Sequence, residues 1–174
     1  MKKIFLVYIV VLGLFSSLYA SNEERDLQAV FLAKFAKFIE RPSADNEKFI
    51  ITIIDENPFE DILQKLYKDK KIDNKSVEIR FATRVEELQK SDILFITIKN
   101  PQIAQKAIEY AQANSILTIS EQRGFAQRGG IIQLNFVQRR THLVINYEAS
   151  LKSNIKIDSK LLAIAQEVIR GDKK

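Results

Sequence analysis

The sequence predicts an α/β protein: a single-domain three-layer sandwich with a mostly parallel sheet, helices on both faces and a C-terminal antiparallel hairpin. Short apolar runs alternate with segments of helical periodicity as far as Ser120, which is the order of a parallel sheet with right-handed crossovers. Beyond it, the strand-like runs 131–137 and 142–147 lie close together in the chain and predict the hairpin. The 174 residues show no composition break and no internal repeat, which suits one domain.

Four strands are predicted ahead of the hairpin, at residues 49–54, 77–82, 93–98 and 116–120. Residues 49–54 form a continuous apolar run bounded by charges, the pattern of a buried strand, and residues 93–98 are the most apolar of the four. Residues 77–82 instead alternate apolar and charged side chains, which predicts a strand with one wet face at the edge of the sheet.

The helices are predicted from periodicity and caps. Residues 24–39 carry apolar side chains at three- and four-residue steps. Asn57-Pro58 and Asn100-Pro101 each place an Asn cap before a proline at the first helical position. Thr83 with Glu86 has the spacing of a capping box. The predicted core-facing residues are Leu27, Val30, Phe31, Phe35 and Phe38 in the first helix, and Ile103, Ala107, Ile108 and Ala111 in the helix after Pro101.

Two helices are predicted after the hairpin. Residues 148–153 form the first of them, and Asp158 or Ser159 caps the second. The core-facing residues of this last helix are predicted as Leu161, Leu162, Ile164, Ala165 and Val168.

The amino terminus has the pattern of an export signal. Lys2 and Lys3 precede the apolar run 4–15, and the segment 16–20 that follows ends in a small residue, Ala20. This order predicts a secretory signal peptide over residues 1–20, cleaved after Ala20, and a mature domain over residues 21–174. An uncleaved N-terminal anchor is the alternative, but the apolar run is shorter than the ~20 residues that a membrane span needs.

Composition narrows the possible chemistry. The chain has no Cys, which excludes disulfides, thiolate nucleophiles, iron–sulfur clusters and Cys zinc sites, and its single His excludes a His-rich metal site. Removing two lysines and no acid with residues 1–20 lowers the formal charge from +5 to +3. This mild charge, together with export, argues against a nucleic-acid partner. We therefore expect no catalytic residue set, no metal and no cofactor.

Polar side chains follow the ends of three predicted parallel strands, where open α/β sheets bind ligands. Helix N-termini at the two Asn caps would also present backbone N–H groups to an anion. A crevice for a small anionic or amphoteric ligand is one interpretation, and the other is that these residues are ordinary turn and cap residues. The candidates are Asp55, Asn57, Thr97, Lys99, Ser120 and Glu121.

Later segments supply candidates for contact with a protein partner. Arginines concentrate in the loop and hairpin, where they either meet an acidic partner or guard an edge strand against mispairing. Apolar residues near the last helix either form an exposed docking patch or close the end of the core. Phe125 lies in a loop, and loops usually face water. The candidates are Phe125, Arg128, Arg139, Arg140, Leu151, Ile155 and Ile157.

Several strings, in order along the chain, resemble one known family, the YfiR-like periplasmic proteins. They include an opening helix that stops at a proline, a central strand, a segment leading to a glycine pair, and a closing hairpin and helix. These strings are residues 30–42, 93–96, 117–120, 124–125, 129–132, 143–146 and 159–162.

Two features depart from the family pattern. Arg41 stands where the family has a Trp before the proline, and Ser91-Asp92 precedes Ile93 in place of cysteine. Family members use cysteines in redox-sensitive disulfides, so redox switching of that kind is excluded here.

The resemblance implies a function that composition does not. It implies a non-enzymatic periplasmic protein that binds the periplasmic sensor domain of an inner-membrane diguanylate cyclase and represses it, controlling cyclic di-GMP signalling and biofilm behaviour. It also implies an outer-membrane partner that can sequester the repressor, and a homodimer. The alternative is a periplasmic small-ligand binding module that uses the crevice at the carboxyl ends of the parallel strands.

Overall fold

A computed structural model describes residues 23–42, 47–137 and 140–171. Its helices are α1 (residues 23–36), α2 (Ile62–Tyr67), α3 (Pro101–Ala113), α4 (Tyr147–Lys152) and α5 (Ser159–Ile164), with a 3-10 turn at Val85–Glu87. Its strands are β1 (Ile39–Glu40), β2 (Phe49–Ile54), β3 (Lys71–Ile72), β4 (Lys75–Ala82), β5 (Ile93–Ile96), β6 (Leu117–Ser120), β7 (Ile132–Val137), β8 (Arg140–Asn146), β9 (Lys156–Ile157) and β10 (Glu167–Ile169).

Eight strands form one mixed sheet in the order β10-β8-β7-β6-β5-β2-β4-β3. The five strands from β7 to β4 are mutually parallel. The hairpin partner β8 is antiparallel to β7, and β3 is antiparallel to β4. This arrangement confirms the predicted mixed α/β class, the mostly parallel sheet and the C-terminal hairpin within a single domain.

Apolar side chains pack against both faces of the sheet because successive residues of a strand point to opposite sides. Ile51 and Ile53 of β2 join the core formed with α1 and α2. Leu94 and Ile96 of β5 join a second core formed with α3. Helices therefore cover both faces, and within the described residues none of them is long and apolar enough to cross a membrane.

The first helix is shorter than predicted. It ends at residue 36, and Ile39–Glu40 forms a two-stranded sheet with β9. The predicted face is also rotated: Leu27 is exposed, and the buried stripe runs through Gln28, Leu32 and Phe35 at positions i, i+4 and i+7. Backbone pairing with a distant strand, which helical periodicity does not encode, sets the end of this helix.

Of the three helix starts predicted between β2 and β6, two are wrong and one is right. Asn57 does not cap a helix, because its Oδ1 accepts a hydrogen bond from Phe59 N at 3.0 Å within a turn and α2 begins only after Asp61. Thr83 is bound by Glu87 rather than Glu86, and its backbone N lies 2.9 Å from Glu87 Oε2. Asn100 caps α3 as predicted, and its Oδ1 accepts from Gln102 N and Ile103 N.

The C-terminal segment is predicted as one helix, but in the structure it forms a short helix followed by a strand. Asp158 caps α5 as predicted, accepting from Lys160 N at 2.7 Å, but the helix ends at Ile164. Ile164 is 61% exposed rather than core-facing. Val168 belongs to β10, which pairs with β8 in parallel. The free edge of β8 recruits these residues into the sheet, and helical spacing cannot reveal that contact.

Candidate functional site

Strands β2, β5 and β6 end at the same edge of the sheet, and a cleft of about 350 Å³ lies there. Four of the six predicted ligand candidates line it, and Asp55 and Ser120 do not. The lining residues are Arg25, Glu56, Asn57, Pro58, Thr97, Lys99, Glu121 and Gln122.

Hydroxyl groups at this edge hold the backbone. The Thr97 hydroxyl lies 2.7 Å from Ile54 O and 2.9 Å from Glu56 O, which ties the loop after β2 to β5. The buried Ser120 hydroxyl donates to Ile96 O at 2.6 Å. Asp55 has a φ of 79°, and its N–H donates to Ala82 O at 2.9 Å, so it serves as a turn residue. The hydrogen bonds of Thr97, Ser120 and Asp55 within the fold account for the presence of these polar residues at the end of the strands.

Two ion pairs border the cleft. Lys99 Nζ lies 3.0 Å and 3.1 Å from the two carboxylate oxygens of Glu56, and this hydrogen-bonded carboxylate raises the pKa of the Lys99 ammonium. Arg25 Nη1 lies 2.8 Å from Glu121 Oε2, which also accepts from Gln28 Nε2 at 3.2 Å. The cleft thus presents both signs of charge, which suits an amphoteric ligand or a polar protein segment.

A second cleft of about 330 Å³ adjoins the first and shares Arg25, Glu121 and Gln122 with it. It extends towards Asn135 and Phe136 of β7. Sequence reasoning missed the contributions of Arg25, Gln28 and Gln122. The available signal was Gln28, a polar residue that shares an apolar helical stripe with Leu32 and Phe35 and therefore needs buried hydrogen-bond partners.

Three of the seven partner candidates are buried. This corrects the exposure expected of Phe125, and for Ile155 and Ile157 it agrees with the alternative that they close the end of the core. Phe125 is 1% exposed and packs against Gly130, where an added Cβ would lie 2.1 Å from its ring. Ile155 and Ile157 belong to the core beside α1. The absent side chain at Gly130 admits the Phe125 ring, so this loop residue faces inward.

The remaining partner candidates do not form one patch. Leu151 is 48% exposed, Arg128 and Arg140 are exposed, and Arg139 lies outside the described residues. The loop that carries Arg128 bonds to the Asn146 end of β8 through Ala126 O. Arg140 begins the same strand six residues away, about 20 Å at the rise of a β-strand.

The two positions that depart from the YfiR-like pattern, Arg41 and Asp92, meet at the amino ends of the parallel strands, opposite the cleft. Arg41 Nη2 is paired with Asp92 Oδ1, and Asp92 Oδ2 accepts from Ile50 N. The Arg41 guanidinium also lies 5.4 Å from the centre of the Phe49 ring. Asp92 is only 1% exposed, so this carboxylate depends on Arg41 and the backbone for compensation.

The fold defines an α/β domain with a polar groove, and the charged side chains that border the groove are paired with one another. A family model described as YfiR/HmsC-like matches residues 25–166, and the chain belongs to that family.

One of two similar solved structures shows a likeness of fold. A conserved domain protein from Vibrio cholerae O1 biovar El Tor is 14% identical with a TM-score of 0.56, over 83% of this chain and 60% of that one. An ABC domain in complex with L-Trp from Streptococcus pneumonia is 14% identical with a TM-score of 0.49, over 70% of this chain and 55% of that one. The chain thus spans little more than half the length of these two proteins. The comparison with curated proteins returned no match.

Proposed function

We propose that this chain is a periplasmic regulator that binds the periplasmic sensor domain of an inner-membrane diguanylate cyclase and represses it. Lower cyclic di-GMP and weaker biofilm formation would follow. The observation that carries the proposal is the YfiR/HmsC-like match, which runs from residue 25 to residue 166 and includes every strand from β1 to β9. The export pattern of residues 1–20, with cleavage after Ala20, agrees with a periplasmic site of action.

Repression requires differential affinity. A bound protein shifts a conformational equilibrium only by as much as it prefers one state of its target. The chain would therefore bind the inactive arrangement of the sensor domain more tightly than the active one. An outer-membrane protein that sequesters the chain would release the cyclase by mass action, and the chain would work as a homodimer.

The remaining partner candidates supply separate contact points, rather than one patch, in this proposal. Arg128 and Arg140 are exposed and carry positive charge that an acidic sensor surface would meet, and Leu151 offers an exposed apolar side chain. Arg139 adds a further positive charge next to Arg140 in the sequence. Arginine is favoured at interface centres because it combines charge with a planar apolar face.

A membrane pull-down with the purified chain as bait tests the proposal directly. We expect capture of a membrane protein with a diguanylate cyclase domain, and higher cellular cyclic di-GMP when the gene is deleted. Arg139→Glu with Arg140→Glu should raise cyclic di-GMP in the same way. Arg84→Glu is the matched control, because Arg84 is an exposed arginine on the far side of the sheet order. Unchanged cyclic di-GMP on gene deletion would overturn the proposal.

A small-ligand binding module is the second candidate function. The two adjoining clefts at the carboxyl edge favour it, since together they present Arg25, Lys99, Glu56 and Glu121 around a continuous groove. Native mass spectrometry of the protein purified from its own cells should then detect a bound small molecule. The double variant Arg25→Met and Lys99→Met should lose it, and a protein that carries no molecule in either form would count against this function.

A further inference from the structure

The outer edge of β4 is open over most of its length. Its neighbour β3 pairs only with Lys75 and Ser76, and among the described residues no strand continues along residues 77–82. The other side of β4 is fully paired with β2. An open edge of this kind presents a row of backbone donors and acceptors to another strand.

The backbone direction of β4 identifies which groups lie on that edge. Ala82 O accepts from Asp55 N, which follows β2, so Ala82 points its polar backbone groups inward. Because these groups alternate along a strand, Val77, Ile79 and Phe81 point theirs outward. Phe81 is also 52% exposed, the largest exposed ring among the described residues.

The side chains of the same segment separate by face. Val77 and Ile79 lie on the face of α1 and α2, where they pack partly against the core. Glu78 and Arg80 lie on the opposite face, with Arg80 Nε 2.6 Å from Glu78 Oε1. Lys48 Nζ also lies 3.3 Å from Glu78 Oε2. One face of β4 is thus apolar, and the other carries two opposite charges two residues apart, with Lys48 beside the carboxylate.

We propose that this edge binds the same edge of a second copy, with the two β4 strands antiparallel about a two-fold axis at Ile79. In that register Ile79 faces its own counterpart, and Val77 faces Phe81 of the second copy. Glu78 faces Arg80 of the second copy, and Arg80 faces its Glu78. Both faces are therefore complementary, and the outward N–H and C=O groups of residues 77, 79 and 81 all find partners.

Neighbouring registers lack this complementarity. A two-fold axis through Glu78 sets two carboxylates opposite each other, and an axis through Arg80 sets two guanidinium groups opposite each other. A two-fold axis between two residues would set a side chain on one face of the sheet opposite a side chain on the other face, because side chains alternate between faces along a strand. The charge pattern therefore selects the axis at Ile79, the register in which this edge is complementary to a second copy of itself.

The inference deepens one part of the proposed function, the homodimer, and does not require the cyclase. Its test uses the purified chain alone, so its failure and the failure of the cyclase proposal are distinguishable. A regulator that dimerises through β4 would keep the carboxyl-edge groove and the hairpin free in both copies, since β4 lies at the other end of the sheet from β8.

Charge reversal tests the register. Sedimentation velocity should show a dimer for the unaltered chain, and Glu78→Arg or Arg80→Glu should each raise the dissociation constant about tenfold or more, since both cross-strand pairs become like-charged. Mixing the two variants should restore a dimer, because every 78–80 pair across the axis is then opposite in charge. Lys152→Glu, which breaks the exposed ion pair with Glu148 elsewhere, should leave the dimer unchanged.

Thermal unfolding followed by circular dichroism confirms that each variant is folded. A monomeric unaltered chain would overturn the proposal, as would two single variants that stay fully dimeric or a mixture that stays monomeric.

Cysteine cross-linking tests the axis independently, because the chain contains no Cys. Ile79→Cys places two thiols opposite each other at a Cα separation of about 5.5 Å, within the range of a disulfide. Phe81→Cys is the matched control, since the two thiols would lie about 14 Å apart along the strands. Oxidation should therefore link the first variant and not the second, and the reverse result would place the axis elsewhere.

Discussion

At the scale of single residues, Asp92 is the one buried charged side chain among the described residues, and Arg41 pairs with it. Asp92 is buried at the start of β5 and is bound by Arg41 and by Ile50 N of β2. A carboxylate in such a place is tolerated only while its partners remain, because desolvation disfavours an unpaired charge. The pair therefore fixes the chain that leads out of β1 against the sheet.

Arg41→Ala should lower the free energy of unfolding by about 3 kcal/mol, because it leaves the Asp92 carboxylate uncompensated. Arg84→Ala removes an exposed pair with Glu87 and should cost no more than about 1 kcal/mol. Adding Asp92→Asn to Arg41→Ala should recover part of the loss by removing the buried charge. Urea unfolding of the four proteins measures this, and equal losses for the two arginine variants would contradict it.

Gly130 is the other residue whose type the packing dictates. A Cβ there would lie 2.1 Å from the Phe125 ring. Gly130→Ala should therefore cost about 1–3 kcal/mol, because the ring must move within a filled core. Phe125→Leu shortens the ring side chain, so the double variant should lose less stability than the sum of the two single losses. A strictly additive double-mutant cycle would show that the two residues do not compete for space.

At the scale of elements, helix starts differ in how well they are capped. Asn100 Oδ1 lies 3.0 Å from Gln102 N and 3.2 Å from Ile103 N at the start of α3. Asp61 makes no side-chain hydrogen bond to the start of α2. Asn100→Ala should therefore cost about 1 kcal/mol in urea unfolding. Asp61→Ala should cost a few tenths of a kcal/mol, since only the exposed pair with Lys65 is lost, and a larger loss there would contradict the role of the cap.

Helices α1 and α2 are joined by a side chain that enters the backbone hydrogen-bond ladder. The Tyr67 hydroxyl donates to Ala29 O at 2.5 Å and accepts from Ala33 N at 3.1 Å. Ala29 and Ala33 are the two ends of one i to i+4 step of α1, so the hydroxyl occupies the place of a helical hydrogen bond. Burial is the main cause that raises the pKa of Tyr67 to about 12, and the hydrogen bond from Ala33 acts in the opposite direction.

Alkaline pH should lower the free energy of unfolding through Tyr67. The folded pKa of Tyr67 is above the ordinary value of 10.0, so its contribution is complete below pH 10 and is lost as pH rises through 12. A shift of this size corresponds to about 2–3 kcal/mol. Urea unfolding across this range should show a loss of that order in the unaltered chain that Tyr67→Phe lacks. Tyr110→Phe is the control, because Tyr110 is only partly buried, and identical pH profiles for the two variants would contradict the assignment.

At the scale of the whole molecule, the parallel sheet and the hairpin could be predicted because their signals are local. The apolar runs 49–54 and 93–96 are strands in the structure, and Asn100 before Pro101 begins a helix. Short-range pattern suffices wherever a strand is buried on both faces or a cap lies beside its helix.

Long-range contacts account for the elements that the sequence did not predict. Residues 39–40, at the end of the first predicted helix, pair instead with residues 156–157. Residues 167–169, in the last predicted helix, pair instead with β8. The candidate cleft shows the same division. Thr97 and Glu121 follow strand ends and were predictable, whereas Arg25 and Gln28 reach the cleft from a helix some ninety residues away in the chain.

The two cores should unfold together, because one sheet supplies side chains to both. Tyr67 and Tyr147 report on the face of α1, Tyr110 reports on the face of α3, and the chain has no Trp to mask them. Urea unfolding followed by tyrosine fluorescence should therefore give one midpoint for Tyr110→Phe, unchanged when far-ultraviolet circular dichroism is the probe. In a protein that begins at residue 21, and so lacks Tyr8 and Tyr19, the double variant Tyr67→Phe and Tyr147→Phe keeps only the α3 reporter. It should likewise show fluorescence and circular dichroism transitions that coincide. If either protein gave two separated midpoints, the faces would be independent folding units, and the continuous backbone pairing from β10 to β3 would not make the domain cooperative.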